Sequence, residues 1–178
     1  MQILEVDDQI RLEPLTEAHA ERILHVVDQN RAYLRKWLPW LDKNTCLEHF
    51  SAFCRQAHTR NAGGEGLVQA ILYDNVLSGV SGYNFIDDNN RWGEIGYWLA
   101  EPMQGKGIIS RTVATQLEYG FNQLNLHRVS ICAAVENRAS RAIPERLGFT
   151  FEGTLRQSEW LYDHYVDQAV YAKLASDP

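Results

Sequence analysis

Gly93-Glu94-Ile95-Gly96-Tyr97-Trp98-Leu99-Ala100, then Glu101-Pro102-Met103-Gln104-Gly105-Lys106-Gly107, then Ile108-Ile109-Ser110: this run decides how the chain reads. Residues 93–100 are rich in Ile, Tyr, Trp and Leu and read as a strand. Glu101–Gly107 is a polar loop with two glycines. A long helix follows to about Asn125, with Val113, Leu117, Gly120 and Phe121 on one side. A glycine has no Cβ, so a ligand can approach the backbone at Gly105 and Gly107 closely. The first amide groups of the helix have no partner within it, and with the helix dipole they favour a pyrophosphate. Taken alone, the loop reads equally well as a structural turn. Two phosphate signatures are absent: there is no GxGxxG after the first strand and no GxxxxGK[ST].

Outward from this run, the N-terminal side alternates at residues 9–13 as a strand does, with Ile10 and Leu12 on one face. Thr16 caps a helix to about Gln29, whose apolar stripe is Ala20, Ile23, Leu24 and Val27. Residues 31–38 read as a second helix ended by Pro39. Thr45-Cys46-Leu47-Glu48 is a capping box for a third helix to about Arg60, with Leu47, Phe50 and Cys54 inward. Residues 67–73 and 76–86 form two strands around an Asp74-Asn75 turn. C-terminal to the long helix, residues 127–135 are a strand. Asn137–Leu147 is a helix stopped by Gly148. Residues 149–155 and 165–174 are the last two strands.

This order predicts an α/β (α+β) fold: a mixed, mostly antiparallel sheet flanked by helices, with one strand–helix–strand crossover. Its 178 residues, without repeats or linkers, suit a single domain over 1–178. Hydrophobic residues at 45% and charged residues at 22% are globular values. No apolar run reaches the ~18 residues of a membrane span. The acidic N-terminus, Met1 to Asp8, is unlike a signal peptide, and three cysteines without CxxC spacing fit a cytoplasmic protein. No metal-ligand spacing is found. A net charge of -6 argues against nucleic-acid binding and is compatible with a cationic partner or with plain solubility.

The 93–110 run does not stand alone. Val135-Glu136-Asn137-Arg138-Ala139-Ser140 opens the next helix, and Leu147-Gly148-Phe149 closes it. The series resembles the Gcn5-related N-acetyltransferase (GNAT) family, whose Q/R-x-x-G-x-G/A motif is matched from Gln104, with Gly107 fourth. Tyr33-Leu34-Arg35-Lys36-Trp37-Leu38-Pro39-Trp40 looks like the branch of ribosomal-protein N-terminal acetyltransferases. The resemblance covers nearly the whole chain. It implies splayed central strands, acetyl-CoA as co-substrate, and a primary amine as acceptor, such as the N-terminus of a ribosomal protein. It also implies a possible homodimer.

Two positions depart from the family. Ile109 stands where Gly or Ala is usual, so its side chain must turn aside. Pro144 stands where many members carry the tyrosine that protonates the leaving thiolate. Pro144 also lacks an N–H, so the Ser140 carbonyl loses its helical partner.

Transfer to an amine needs a base, stabilisation of an oxyanion, and a proton for the departing thiolate. On the resemblance, CoA is held at Gln104, Gly105, Lys106, Gly107, Ile108, Ile109 and Ser110, with Trp98 and Leu99 main-chain groups holding pantetheine. Asn137 reads as a ligand to pantetheine or the product amide, and equally as a helix N-cap. Ser140, one turn later on the same side, is the candidate acid. For the base, the resemblance favours Glu159, with Trp160 beside it as a desolvating neighbour; Glu94 is the alternative, and either can be a plain surface glutamate. Trp37, with Trp40, lines a substrate mouth or packs in the core, and Asn84 is placed to contact a peptide backbone. Beside the ribosomal-protein reading stand a small-molecule amine acetyltransferase, for a polyamine, amino acid or aminoglycoside, and a CoA-binding module without turnover.

Overall fold

A computed structural model describes residues 2–178. Eight strands form one sheet in the order β1-β2-β3-β4-β5-β6-β8-β7. They are β1 (Leu4–Glu5), β2 (Ile10–Pro14), β3 (Leu67–Tyr73), β4 (Val76–Asp87), β5 (Trp92–Leu99), β6 (Arg128–Ala134), β7 (Thr150–Leu161) and β8 (His164–Leu174). The helices are α1 (Ala20–Gln29), α2 (Arg31–Leu34), α3 (Leu47–Ala62), α4 (Ile108–Asn122) and α5 (Arg138–Arg146).

All strand pairs are antiparallel except β5 with β6. That parallel pairing follows from the α4 crossover. It covers only Trp92–Glu94 against Arg128–Ser130. Beyond it β5 and β6 part, as the resemblance implied. β4 reaches the same region through a bulge between Tyr83 and Phe85, which leaves Asn84 exposed.

One core lies between the sheet and α4, around Tyr83, Ile95, Val113, Leu117, Val129 and Ile131. The other packs α1 and α3 against β3 and β4, around Ile23, Val27, Phe50, Cys54 and Val80. Tyr83 occupies space that Gly120 leaves open: a Cβ there would lie 2.0 Å from its hydroxyl oxygen. That hydroxyl donates to the Gln116 carbonyl at 2.9 Å.

Four expectations need correction. α2 ends at Leu34, and looser turns carry the chain to Leu38. The cap of α3 is Cys46, not Thr45, because His49 lies at the third helical position, where its Nδ1 accepts from the Thr45 amide at 3.2 Å. Leu47 is therefore exposed, and the inward stripe begins at Phe50. β7 does not stop at residue 155; after a bulge between Leu155 and Glu159 it continues to Leu161.

Candidate active site

Gly107 caps α4 with φ of +70°, and Gly105 has φ of +74°. L side chains adopt this left-handed conformation at a cost of ~1–2 kcal/mol per residue. The two glycines turn the chain so that the amides of Ile108, Ile109 and Ser110 open outward from the helix end. The Ile109 side chain is turned into the core, as its place in the loop required. Arg111 braces the loop beneath, donating to the Lys106 carbonyl at 3.1 Å and pairing with Asp7.

The helix end borders a cavity of about 580 Å³. Trp98, Leu99, Gln104, Gly105, Gly107, Ile108, Ile109, Ser110 and Asn137 line it, as does Trp37. Lys106 does not: its ammonium sits over the Tyr73 ring, 5.1 Å from the centroid. Arg146, which was not anticipated, lines the same cavity and donates to Ser110 Oγ at 2.8 Å. Its place in the last turn of a helix, where a cation complements the dipole, was the available signal.

On the other side of β5 lies a second cavity of about 880 Å³, lined by Trp40, Phe50, Asn84, Glu94, Cys132, Glu159 and Gln168 among others. Among the described residues, neither Lys nor Arg borders it. The two cavities share Leu38, Tyr97, Trp98, Asn137 and Ser140. They meet where β5 and β6 have parted.

At this junction Asn137 is the N-cap of α5, its Oδ1 accepting from the Ser140 amide at 3.2 Å. The capping reading holds, and the residue still borders both cavities. Pro144 leaves the Ser140 carbonyl without a helical donor, and Tyr97 fills the vacancy: its hydroxyl donates to that carbonyl at 2.9 Å. Ser140 Oγ in turn donates to the Tyr97 hydroxyl oxygen at 3.3 Å. Proline inside a helix costs about 3 kcal/mol, and a hydrogen bond returns about 1 kcal/mol. The arrangement is therefore not explained by stability alone. Burial pushes the Tyr97 phenol up to about 12, opposed by its bond with Ser140. In the sequence Tyr97 is marked only by its place in a strand; the orphaned Ser140 carbonyl is the signal that a donor must lie opposite.

Glu159 faces the second cavity from β7. Burial raises its carboxyl above the ordinary range, while a hydrogen bond from Gln168 Nε2 opposes the rise. Trp160 is not the desolvating neighbour. Successive strand residues face opposite sides, and Trp160 packs half-exposed on Tyr165, with ring centroids 4.8 Å apart. Glu94 Oε2 accepts from the Cys132 thiol at 3.7 Å. Burial first, then Glu94 and Glu159, push that thiol up to about 11, so Cys132 stays a neutral thiol between two carboxylates. Gln168 and Cys132 were not singled out from sequence. Among the described residues, no three His, Cys, Asp or Glu side chains converge as metal ligands would.

The chain is similar in sequence to YdaF of Bacillus subtilis (strain 168), 35% identical over 170 residues, 95% of this chain and 93% of that one. It is 29% identical over 171 residues to the ribosomal-protein-serine acetyltransferase of Escherichia coli (strain K12), covering 96% of each. Its fold is similar to that of RimL, the ribosomal L7/L12 alpha-N-protein acetyltransferase, in complex with coenzyme A. The TM-score is 0.95 at 29% identity, over 99% of this chain and 100% of that one. Residues 9–150 match the acetyltransferase (GNAT) domain. With a glycine-bearing helix start, parted central strands and two cavities meeting between them, the chain belongs to the GNAT acetyltransferase family.

Proposed function

We propose that residues 1–178 act as one N-acetyltransferase domain that moves the acetyl group of acetyl-CoA to the N-terminal amine of a ribosomal protein. One observation carries this reading: the two cavities meet at Tyr97, Trp98, Asn137 and Ser140. The glycine-bearing helix end offers backbone amides to the CoA pyrophosphate, with Arg146 and Ser110 beside it. Pantetheine runs between β5 and β6, where it adds to the open strand edge. The second cavity, lined by two carboxylates and, among the described residues, by no Lys or Arg, receives the acceptor as an ammonium ion.

Glu159 removes the proton that the ammonium must lose before attack, since its raised pKa keeps it basic enough to take that proton. Ser140 protonates the departing sulfur. Asn84, exposed at the bulge, meets the acceptor backbone. The name of the Escherichia coli relative, a ribosomal-protein-serine acetyltransferase, supports a protein N-terminus as acceptor. We further propose that the enzyme works in the cytoplasm as a homodimer, which fractionation and sedimentation test.

The deciding experiment is mass spectrometry of ribosomal protein N-termini treated with acetyl-CoA, with and without the enzyme. An acetylated terminus that appears only with the enzyme supports the reading. Transfer to polyamines, amino acids or aminoglycosides alone makes it a small-molecule acetyltransferase. CoA binding without transfer to any amine makes it a binding module.

A further inference from the structure

We infer that Tyr97 is the proton source behind Ser140: its hydroxyl supplies, through Ser140 Oγ, the proton that the leaving thiolate takes. The inference rests on the acetyl-transfer reading above. Ser140 borders both cavities, so its hydroxyl can reach a sulfur lying at their junction. A serine that gives up its proton alone becomes an alkoxide, a very strong base. A phenol is a much stronger acid than an aliphatic alcohol. Tyr97 places a phenol within hydrogen-bond reach, its Oη 3.3 Å from Ser140 Oγ and 2.9 Å from the Ser140 carbonyl.

The second of these contacts exists because of Pro144. In an ordinary helix the amide four residues on would occupy the Ser140 carbonyl. Proline has no N–H, so that carbonyl is free to hold the phenol proton and to aim the phenol oxygen at Ser140 Oγ. Departure from the family at Pro144 thus removes one acid from α5 and positions another from β5.

The step balances as follows. The amine nitrogen bonds to the acetyl carbon, and the C–S bond breaks with both electrons going to sulfur. Ser140 Oγ–H passes its proton to sulfur. The Tyr97 hydroxyl swings from the carbonyl to Ser140 Oγ and restores it. From ammonium to amide the nitrogen sheds two protons. One reaches solvent through Glu159; the other returns through water to Tyr97.

The charged and titratable groups around Tyr97 do not replace it. Tyr171 on β8 is engaged by Arg141 at 2.9 Å and Glu145 at 2.7 Å. Glu94, Cys132 and Glu159 line the second cavity rather than bonding to the phenol.

The test measures kcat against pH for wild type, Tyr97→Phe, Ser140→Ala, the double variant, and protein with difluorotyrosine placed at position 97. Tyr97→Phe should lower kcat about tenfold or more, a loss in the range of general acid catalysis, with acetyl-CoA KM nearly unchanged. The double variant should be no slower than the slower single one, because both residues serve one proton. Difluorotyrosine keeps shape and hydrogen bonds but is a stronger acid, so the alkaline limb of kcat should move to lower pH. This arm decides even if Tyr97→Phe fails to fold. An unmoved alkaline limb, or fully multiplicative losses in the double variant, leaves Tyr97 as a cap for the carbonyl and overturns the inference. Wild type that transfers acetyl to no amine refutes the transfer reading itself, which is a separate outcome.

Discussion

The Tyr162 hydroxyl, at the tip of the β7–β8 hairpin, donates to the carbonyl of Leu38 at 2.5 Å, joining positions 124 residues apart. Arg35 lies over the same ring, 3.8 Å from its centroid, and is itself held by Asp42. Leu38 borders both cavities, with Trp37 in the first and Trp40 in the second. The hairpin tip therefore fastens the segment that roofs their junction.

Tyr162→Phe removes the donor and keeps the ring. Loss of one hydrogen bond of about 1 kcal/mol should raise KM for acetyl-CoA and acceptor roughly fivefold. The fold should hold, since the Arg35 contact remains. Steady-state kinetics in both substrates decide: a lowered kcat with unchanged KM values defeats the roof assignment.

Gly107→Trp should abolish acetyl-CoA binding. The side chain fills the approach to the α4 amides, and φ of +70° adds strain of ~1–2 kcal/mol. Calorimetric titration with acetyl-CoA checks this, with thermal melting to show that the variant is folded. Wild-type affinity in a folded variant means that the ligand lies elsewhere.

Ser140→Ala should reduce kcat by ~100-fold and leave acetyl-CoA affinity nearly intact, because proton donation acts in the transition state. The cap from Asn137 uses the backbone amide of Ser140 and survives the change. A variant with full kcat removes Ser140 from the mechanism.

The acid limb of activity should report Glu159. In the proposed role activity requires the carboxylate, and burial raises the pH at which it forms above that of an ordinary carboxyl. The bond from Gln168 favours the ionised form, so its removal in Gln168→Leu should push the limb to still higher pH. Glu159→Gln should lower kcat strongly at neutral pH, with partial rescue at high pH as free amine accumulates. If KM alone rises, Glu159 only binds the ammonium. If neither parameter moves and Glu94→Gln is inactive but folded, Glu94 is the base.

The loop at 104–107 and the helix after it were readable because glycine and a buried apolar stripe leave strong local marks. β7 was read short because its bulge at 155–159, with Gln157 at φ of +49°, interrupts the alternation on which a strand is recognised. Glu159 was legible only through resemblance, and Trp160 was misjudged as its neighbour in space. Adjacency along a strand separates side chains rather than joining them. Tyr97 was invisible for another reason: its partner lies 43 residues away, and only the folded crossover brings the two together.

The parting of β5 from β6 after Glu94 and Ser130 has a consequence for the lifetime of the protein. Without ligand, two strand edges stand open in the middle of the sheet, where amides exchange with solvent and foreign strands can pair. A ligand that fills the gap at 100 times its Kd adds about 2.7 kcal/mol of stability. Resistance to proteolysis and to aggregation should then rise and fall with the co-substrate pool, so that a cell short of acetyl-CoA loses the enzyme as well as its activity.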